Sequence, residues 1–174
     1  YGENCKAFSE MQAGFVVGID ISHKMLEIAE SENKAANIAY LDMPMENIQL
    51  IDRKFDIAVS SLSVHYIKDY EELMKRIYSL LNPGGIFVFS QEHPLTTAPI
   101  AGAKWIKNDD GSVDHYRLTD YARTGERIVS WIVDEVIKYH RTFSNLINGL
   151  VRAGFVIEET EEPAPTLEII QRLP

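Results

Sequence analysis

The sequence predicts an α/β protein built on a Rossmann-like, doubly wound, mostly parallel sheet with helices on both faces. Three observations carry this. Short runs rich in branched apolar residues alternate with amphipathic stretches over the first ninety or so positions, which is the pattern of a sheet whose strands are linked by crossover helices. The apolar runs end in polar or acidic residues, as strands do where they reach a ligand-binding rim. The 174 residues suffice for one domain with a sizeable core.

In chain order, a helix-like stretch over 3–11 leads to Gly14, a plausible stop. Residues 15–19 (Phe15-Val16-Val17-Gly18-Ile19) read as a strand buried on both faces, closed by Asp20. Ser22 has the character of an N-cap for a helix reaching about Lys34, with Met25, Leu26 and Ala29 at helical spacing. A second strand over 38–41 closes with Asp42 and gives way to a loop or short helical turn at 43–46, where Pro44 biases Met43 toward an extended backbone. A third strand over 55–60 ends at Ser60, Ser61 and Leu62. Asp69 caps the next helix, which runs to about Leu81 with Leu73, Ile77, Leu80 and Leu81 on one face. Asn82-Pro83-Gly84-Gly85 breaks that helix, and a fourth strand over 86–89 follows.

From Leu95 the pattern changes. Thr96 to Pro99 is loop-like, Trp105 and Ile106 with the Asp109-Asp110-Gly111 turn suggest a short hairpin, and 128–139 leans to strand. Trp105, Tyr116, Tyr121 and Trp131 give this segment an aromatic bias. A departure of this length is too long for an ordinary connection and reads as a lid. A helix over 143–153 stopped by Gly154, a fifth strand at Phe155-Val156-Ile157, an acidic loop and a last short helix from Thr166 complete the chain. The expected division is therefore a ligand-binding α/β core over 1–94, a substrate-side lid over 95–140, and a return to the same domain over 141–174.

Composition narrows the function. Hydrophobic residues make up 45% and charged residues 25%, an ordinary globular balance. A formal charge of −9 argues against a nucleic-acid partner, since backbone binding draws on clustered Lys and Arg. The single cysteine, Cys5, allows no internal disulfide and fits a reducing, cytoplasmic setting. No apolar run reaches the ~20 residues of a membrane span. The five histidines show no metal-ligand spacing, so no metal is expected. Asp20 and Asp42, each at the carboxyl end of a strand, can present two acceptors to one ligand. A carboxylate so placed suits ribose hydroxyls, although acids are also favoured in turns for local reasons.

Five strings together give a family resemblance: Val16-Val17-Gly18-Ile19-Asp20, Tyr40-Leu41-Asp42-Met43, Phe55-Asp56-Ile57-Ala58-Val59-Ser60-Ser61, Leu81-Asn82-Pro83-Gly84-Gly85, and Gly154-Phe155. In order and spacing the chain resembles class I S-adenosylmethionine-dependent methyltransferases, of the small-molecule type related to quinone-biosynthesis enzymes. The resemblance implies that Asp20 binds the ribose hydroxyls and Ile21 packs on adenine. It implies that Asp42 accepts from the adenine amino group, that the Met43 backbone meets the ring, and that Ser60 and Ser61 line the methionine portion. Gly2 stands where the family's Gly-x-Gly-x-Gly loop has its third glycine. The family's first strand, before Gly2, and its last strand have no counterpart in the sequence, and terminal segments of a longer protein are the expected reason.

The reaction implied is methyl transfer to a small-molecule acceptor by in-line displacement, where positioning and exclusion of water matter most. A base helps only when the accepting atom starts protonated. His65 and His93 are the catalytic candidates. Tyr66, Trp105, Tyr116 and Arg141 are the substrate-side candidates, although aromatic stripes and arginines also serve as ordinary core and ion-pair residues. The protein is expected to act as a monomer or homodimer. Two further readings stay open at this level: an NAD(P)-dependent oxidoreductase, since an acid after a strand also suits that cofactor, and a non-catalytic Rossmann-like interaction module.

Overall fold

The computed structural model describes residues 1–101, 105–129, 135–164, 166 and 169. Helix α1 (Glu3–Glu10) ends one turn before the expected stop, because Gln12 and not Gly14 adopts the left-handed backbone that closes it. Strand β1 (Val16–Asp20) leads to α2 (His23–Glu32), whose Ser22 side chain accepts from the Met25 amide as an N-cap. Strand β2 (Ile38–Asp42) lies parallel to β1 in a register that sets Asp20 directly beside Asp42. The segment after Pro44 is a full 3-10 helix, Met45–Leu50.

Strand β3 (Phe55–Ser61) and strand β4 (Leu81–Ser90) form a second parallel pair. Leu81 pairs with Phe55 and Ile86 with Ile57, so Asn82 to Gly85 loop out between two rungs of the ladder and supply the expected turn inside the strand. Between them, α3 (Tyr70–Leu80) begins at the Asp69 cap, which accepts from the Glu72 amide. Its buried face, Tyr70, Leu73, Met74 and Ile77, meets Leu146 and Leu150 of α5 (Phe143–Ala153). The two helices approach closely because Gly149 has no side chain: a Cβ there would stand 2.5 Å from the Tyr70 ring. The Tyr70 hydroxyl donates to the Leu146 carbonyl at 3.0 Å, which pairs a polar group inside this core.

The sheet is therefore made of two parallel ladders, and among the described residues no backbone ladder joins β1 to β3. Their starts are tied by the Arg53 guanidinium, 4.3 Å over the Phe15 ring. The expectation of a strand buried on both faces at 15–19 is corrected. Val16 is buried, but Val17 to Ile19 are half-buried and Phe15 is exposed, because one edge of β1 has no paired neighbour. The same holds for the second ladder. Ile57 and Val59 of β3, directly opposite Ile86 and Val88 of β4, are exposed on one face while Phe87 and Phe89 pack against the core on the other.

The lid segment carries more structure than expected. Thr96 and Thr97, anticipated as the start of a loop, belong to a helical turn, α4 (Pro94–Thr97). Strands β5 (Trp105–Lys107) and β6 (Val113–Tyr116) form the expected short hairpin. Strands β7 (Gly125–Val129) and β8 (Val136–His140) form a second antiparallel pair, and Trp131 lies outside the described residues. The fifth strand expected at 155–157 does not form. Phe155 anchors against Tyr78 and Phe87, but Val156 is 86% exposed and has no strand partner among the described residues. The last helix expected from Thr166 falls mainly outside the described residues.

Candidate functional site

At the carboxyl end of the first ladder, Asp20 and Asp42 share a register position and hence a face of the sheet. Both are exposed. Asp20 Oδ1 accepts from the Ser22 amide at 2.8 Å, and the Asp20 carbonyl accepts from the Met43 amide at 3.0 Å. The turn role and the ligand role of this acid are thus compatible, since one carboxylate oxygen braces the helix start and the other remains as an acceptor. Asp42 Oδ2 lies 3.7 Å from His23 Nδ1, on the first residue of α2. Ile21, which follows Asp20, is 74% exposed, an apolar surface next to this pair of acceptors. Gly2 precedes α1 at φ 91, and a Cβ there would meet the Tyr40 hydroxyl at 2.6 Å and the Ala29 Cβ at 2.9 Å. Packing against α2 and β2 therefore requires this glycine. Acceptors at the register-paired strand ends and an exposed apolar residue following one of them fit the ribose and adenine of a nucleoside.

A second group forms where the other ladder ends. Ser60 shares a hydrogen bond with Ser63, Oγ to Oγ 2.7 Å, and Ser61 is exposed. Leu62 takes the left-handed backbone, φ 49, with its amide bonded to the Ser90 carbonyl at 3.0 Å. Such a conformation costs a non-glycine residue on the order of 1–3 kcal/mol and concentrates at functional rims. The following 3-10 turn (Val64–Tyr66) carries His65 and Tyr66, whose rings lie 4.3 Å apart. His65 is only 3% exposed, and burial holds its imidazole below the ordinary histidine range. Its Nδ1 accepts from the Glu92 amide at 3.4 Å, so the neutral ring carries its proton on Nε2.

His93 is engaged through both nitrogens. Nδ1 accepts from the Leu95 amide at 3.2 Å, capping α4, and Nε2 faces Glu162 at 2.8 Å. Arg141 is bonded to the carbonyls of Ile67, Lys68 and Tyr139 and lies over the Tyr70 ring, where burial lowers the pKa of its guanidinium. Those carbonyls make it a brace between β8 and the start of α3. Trp105 and Tyr116 pair across the β5–β6 hairpin at 4.9 Å, and the Tyr116 hydroxyl donates to the Leu95 carbonyl at 2.8 Å. The structure thus gathers Asp20, Ile21, Asp42 and Met43 at one rim, His65 and Tyr66 at the next, and Trp105 with Tyr116 in the β5–β6 hairpin.

Sequence reasoning missed the pair that completes the second rim. The Lys138 ammonium is bonded to Glu92 Oε1 and lies 5.7 Å from the Tyr66 ring centroid. Side-chain exposure is 8% for Lys138 and 34% for Glu92. The sequence pointed the other way: along β8, Lys138 and His140 are buried while Ile137 is exposed, the reverse of ordinary alternation. A small cavity touches His65, Gln91, Glu92, Thr97 and Arg141. Among the described residues no group of acids, histidines or cysteines could hold a metal ion, and no helix is long and apolar enough to cross a membrane.

Residues 1–89 match the family described as "Methyltransferase domain". The chain belongs to that family. The methyltransferase domain superposes with a TM-score of 0.86 on an S-adenosylmethionine-dependent methyltransferase from Mesorhizobium loti, with 36% identity, covering 97% of this chain and 76% of that one. The Rossmann-like fold expected from the sequence is thereby that of S-adenosylmethionine-dependent methyltransferases. Among curated proteins, this methyltransferase domain is 36% identical over 168 residues to an uncharacterised protein of Haemophilus influenzae, covering 93% of the chain and 66% of the relative. It is also 33% identical over 105 residues to a malonyl-[acyl-carrier protein] O-methyltransferase from a Marinomonas species, covering 60% of the chain and 39% of that protein. The methyltransferase domain thus spans two thirds or less of these curated relatives' length.

Proposed function

We propose that the protein transfers a methyl group from S-adenosylmethionine to a small-molecule acceptor. The observation that carries this reading is the register pairing of Asp20 with Asp42 at the carboxyl end of β1 and β2. Asp20 holds the ribose hydroxyls, Asp42 accepts from the adenine amino group, and Ile21 with the Met43 backbone flanks the ring. Ser60 and Ser61 border the methionine portion, and Gly2 lets α1 seat close to α2. When bound, the donor supplies an activated methyl on a sulfonium, a leaving group that needs no protein nucleophile. The chain's own part is orientation: an in-line approach from the side of His65 and Tyr66, with Trp105 and Tyr116 of the lid limiting water. His93 and Arg141 support that side by fixing α4, β8 and the start of α3.

Calorimetry of the full-length protein with S-adenosylhomocysteine tests the reading. Saturable binding is expected. No heat at millimolar ligand would remove it and leave the non-catalytic reading standing, while NADH binding in its place would favour the oxidoreductase.

A further inference from the structure

We propose that Glu92 is the proton acceptor for methyl transfer, and that the methyl acceptor is therefore a neutral hydroxyl or amine and not a carboxylate. The inference rests on the methyltransferase reading of the rim and deepens it. Its basis is an account of lone pairs among the groups at that rim. His65 uses Nδ1 to accept from the Glu92 amide, so its neutral ring offers only an N–H at Nε2. His93 accepts through Nδ1 from Leu95 and donates through Nε2 to Glu162, so neither nitrogen is left to take a proton. Arg141 and Lys138 are donors with no acceptor lone pair to offer. Glu92 is the exception. Lys138 holds one carboxylate oxygen, Oε1. The other, Oε2, carries no hydrogen bond to the described residues, on a side chain 34% exposed whose partner Lys138 lies 5.7 Å from the Tyr66 ring centroid.

The pair is built for this division of labour. Lys138 is the buried partner, at 8% side-chain exposure, and fixes the carboxylate from behind. Glu92 is the accessible one. Its own amide braces the His65 ring, so the acid and the Val64–Tyr66 turn are positioned together. In the reaction the acceptor's O–H or N–H is hydrogen-bonded to Oε2. Its lone pair forms the new bond to the methyl carbon as the carbon–sulfur bond breaks, and that bond's electrons stay on sulfur, leaving a neutral thioether. The displaced proton passes to Oε2 and then to water. An acceptor arriving as a carboxylate would have no proton to give and would meet Glu92 as a like charge.

The test uses 4-nitrophenol, whose neutral and anionic forms differ in colour, bound to full-length protein saturated with S-adenosylhomocysteine. Wild-type protein is expected to bind the neutral form at least about tenfold more tightly than the anion, which is one unit of upward shift in the bound probe's apparent pKa. In Glu92→Gln, with S-adenosylhomocysteine binding retained as the check on folding, the preference is expected to fall to within about twofold. Equal or tighter binding of the anion by wild type overturns the proposal, as does an unchanged preference in Glu92→Gln or no probe binding at millimolar concentration. The wild-type arm decides even where the variant fails to fold. Absence of S-adenosylhomocysteine binding in wild type is a separate result, and counts against the methyltransferase reading itself.

Discussion

Asp20 and Asp42 end the β1–β2 pair side by side in solvent, whereas Arg127 and Lys138 face each other across the β7–β8 hairpin with their side chains turned inward. Both arrangements set like charges opposite one another, which is unfavourable in a sheet unless something intervenes. At the strand ends the intervening agents are water, His23 and the Ser22 amide, so acceptor capacity is left over for a ligand. In the hairpin the charges are spent internally. Arg127 donates to the carbonyls of Ala98, Gly125, Glu126 and Arg123, and Lys138 is bonded to Glu92. Charge at a strand terminus here is available for binding, and charge in mid-strand is committed to holding the β7–β8 hairpin against its neighbours.

Substitutions on the two pairs should separate these roles. Asp20→Ala is expected to weaken S-adenosylhomocysteine binding by about 1.5–3 kcal/mol, roughly 10- to 150-fold in Kd, through loss of charge-assisted hydrogen bonds. Its stability in urea should fall by no more than the roughly 0.5–1.5 kcal/mol of the lost Ser22 amide bond, and a larger drop would dissolve the contrast. Lys138→Met should do the opposite, lowering stability by about 2 kcal/mol because the Glu92 carboxylate loses its cation. Urea unfolding measures it, and an unchanged midpoint would mean that water replaces the ammonium at no cost.

A third substitution uses pH. His140 is fully buried, donating from Nε2 to the Tyr121 carbonyl and meeting Thr97 at Nδ1, and burial lowers its pKa. The unfolded chain takes up this proton more readily than the folded one. The stabilising contribution is thus intact above the unfolded value of about 6.5 and is lost as pH falls from there toward the lower folded value, at up to about 1.4 kcal/mol per pH unit. His65 has the same sign. Midpoints measured at about pH 7.5 and 5.5 should fall with acid in wild type, and fall less in His140→Gln, whose amide keeps a donor and an acceptor but does not titrate. The smallest effect belongs to the outer face of the hairpin: Ile137→Ser should change the midpoint by under about 0.5 kcal/mol, the range of surface substitutions. A larger loss would show that this exposed isoleucine is covered in solution.

The same contrast explains what the sequence could reveal. The β1–β2 rim was legible because every cue is local: an apolar run, an acid, then Ser22 as a cap. The α3 side of the α3–α5 core was legible because Leu73 and Ile77 recur at helical spacing, and they pack with Leu146 and Leu150 of α5. The Glu92–Lys138 pair was not, because its members lie 46 positions apart and meet only when β8 settles against the rim. The missing strand at 155–157 has a related cause. Its residues are suitable, but a strand exists only beside a partner, and no local pattern reports whether one is there.

The amide of Ser22 already fixes the Asp20 side chain through Oδ1. A nucleoside reaching Oδ2 then meets a carboxylate whose rotamer is set before contact, and forgoes the roughly 0.5–1.5 kcal/mol of ordering that a freely swinging side chain would exact on association. Helix initiation and ligand affinity are in this way coupled through one residue, so Ser22→Pro, which removes that amide hydrogen and leaves the acid untouched, would still be felt by whatever binds there.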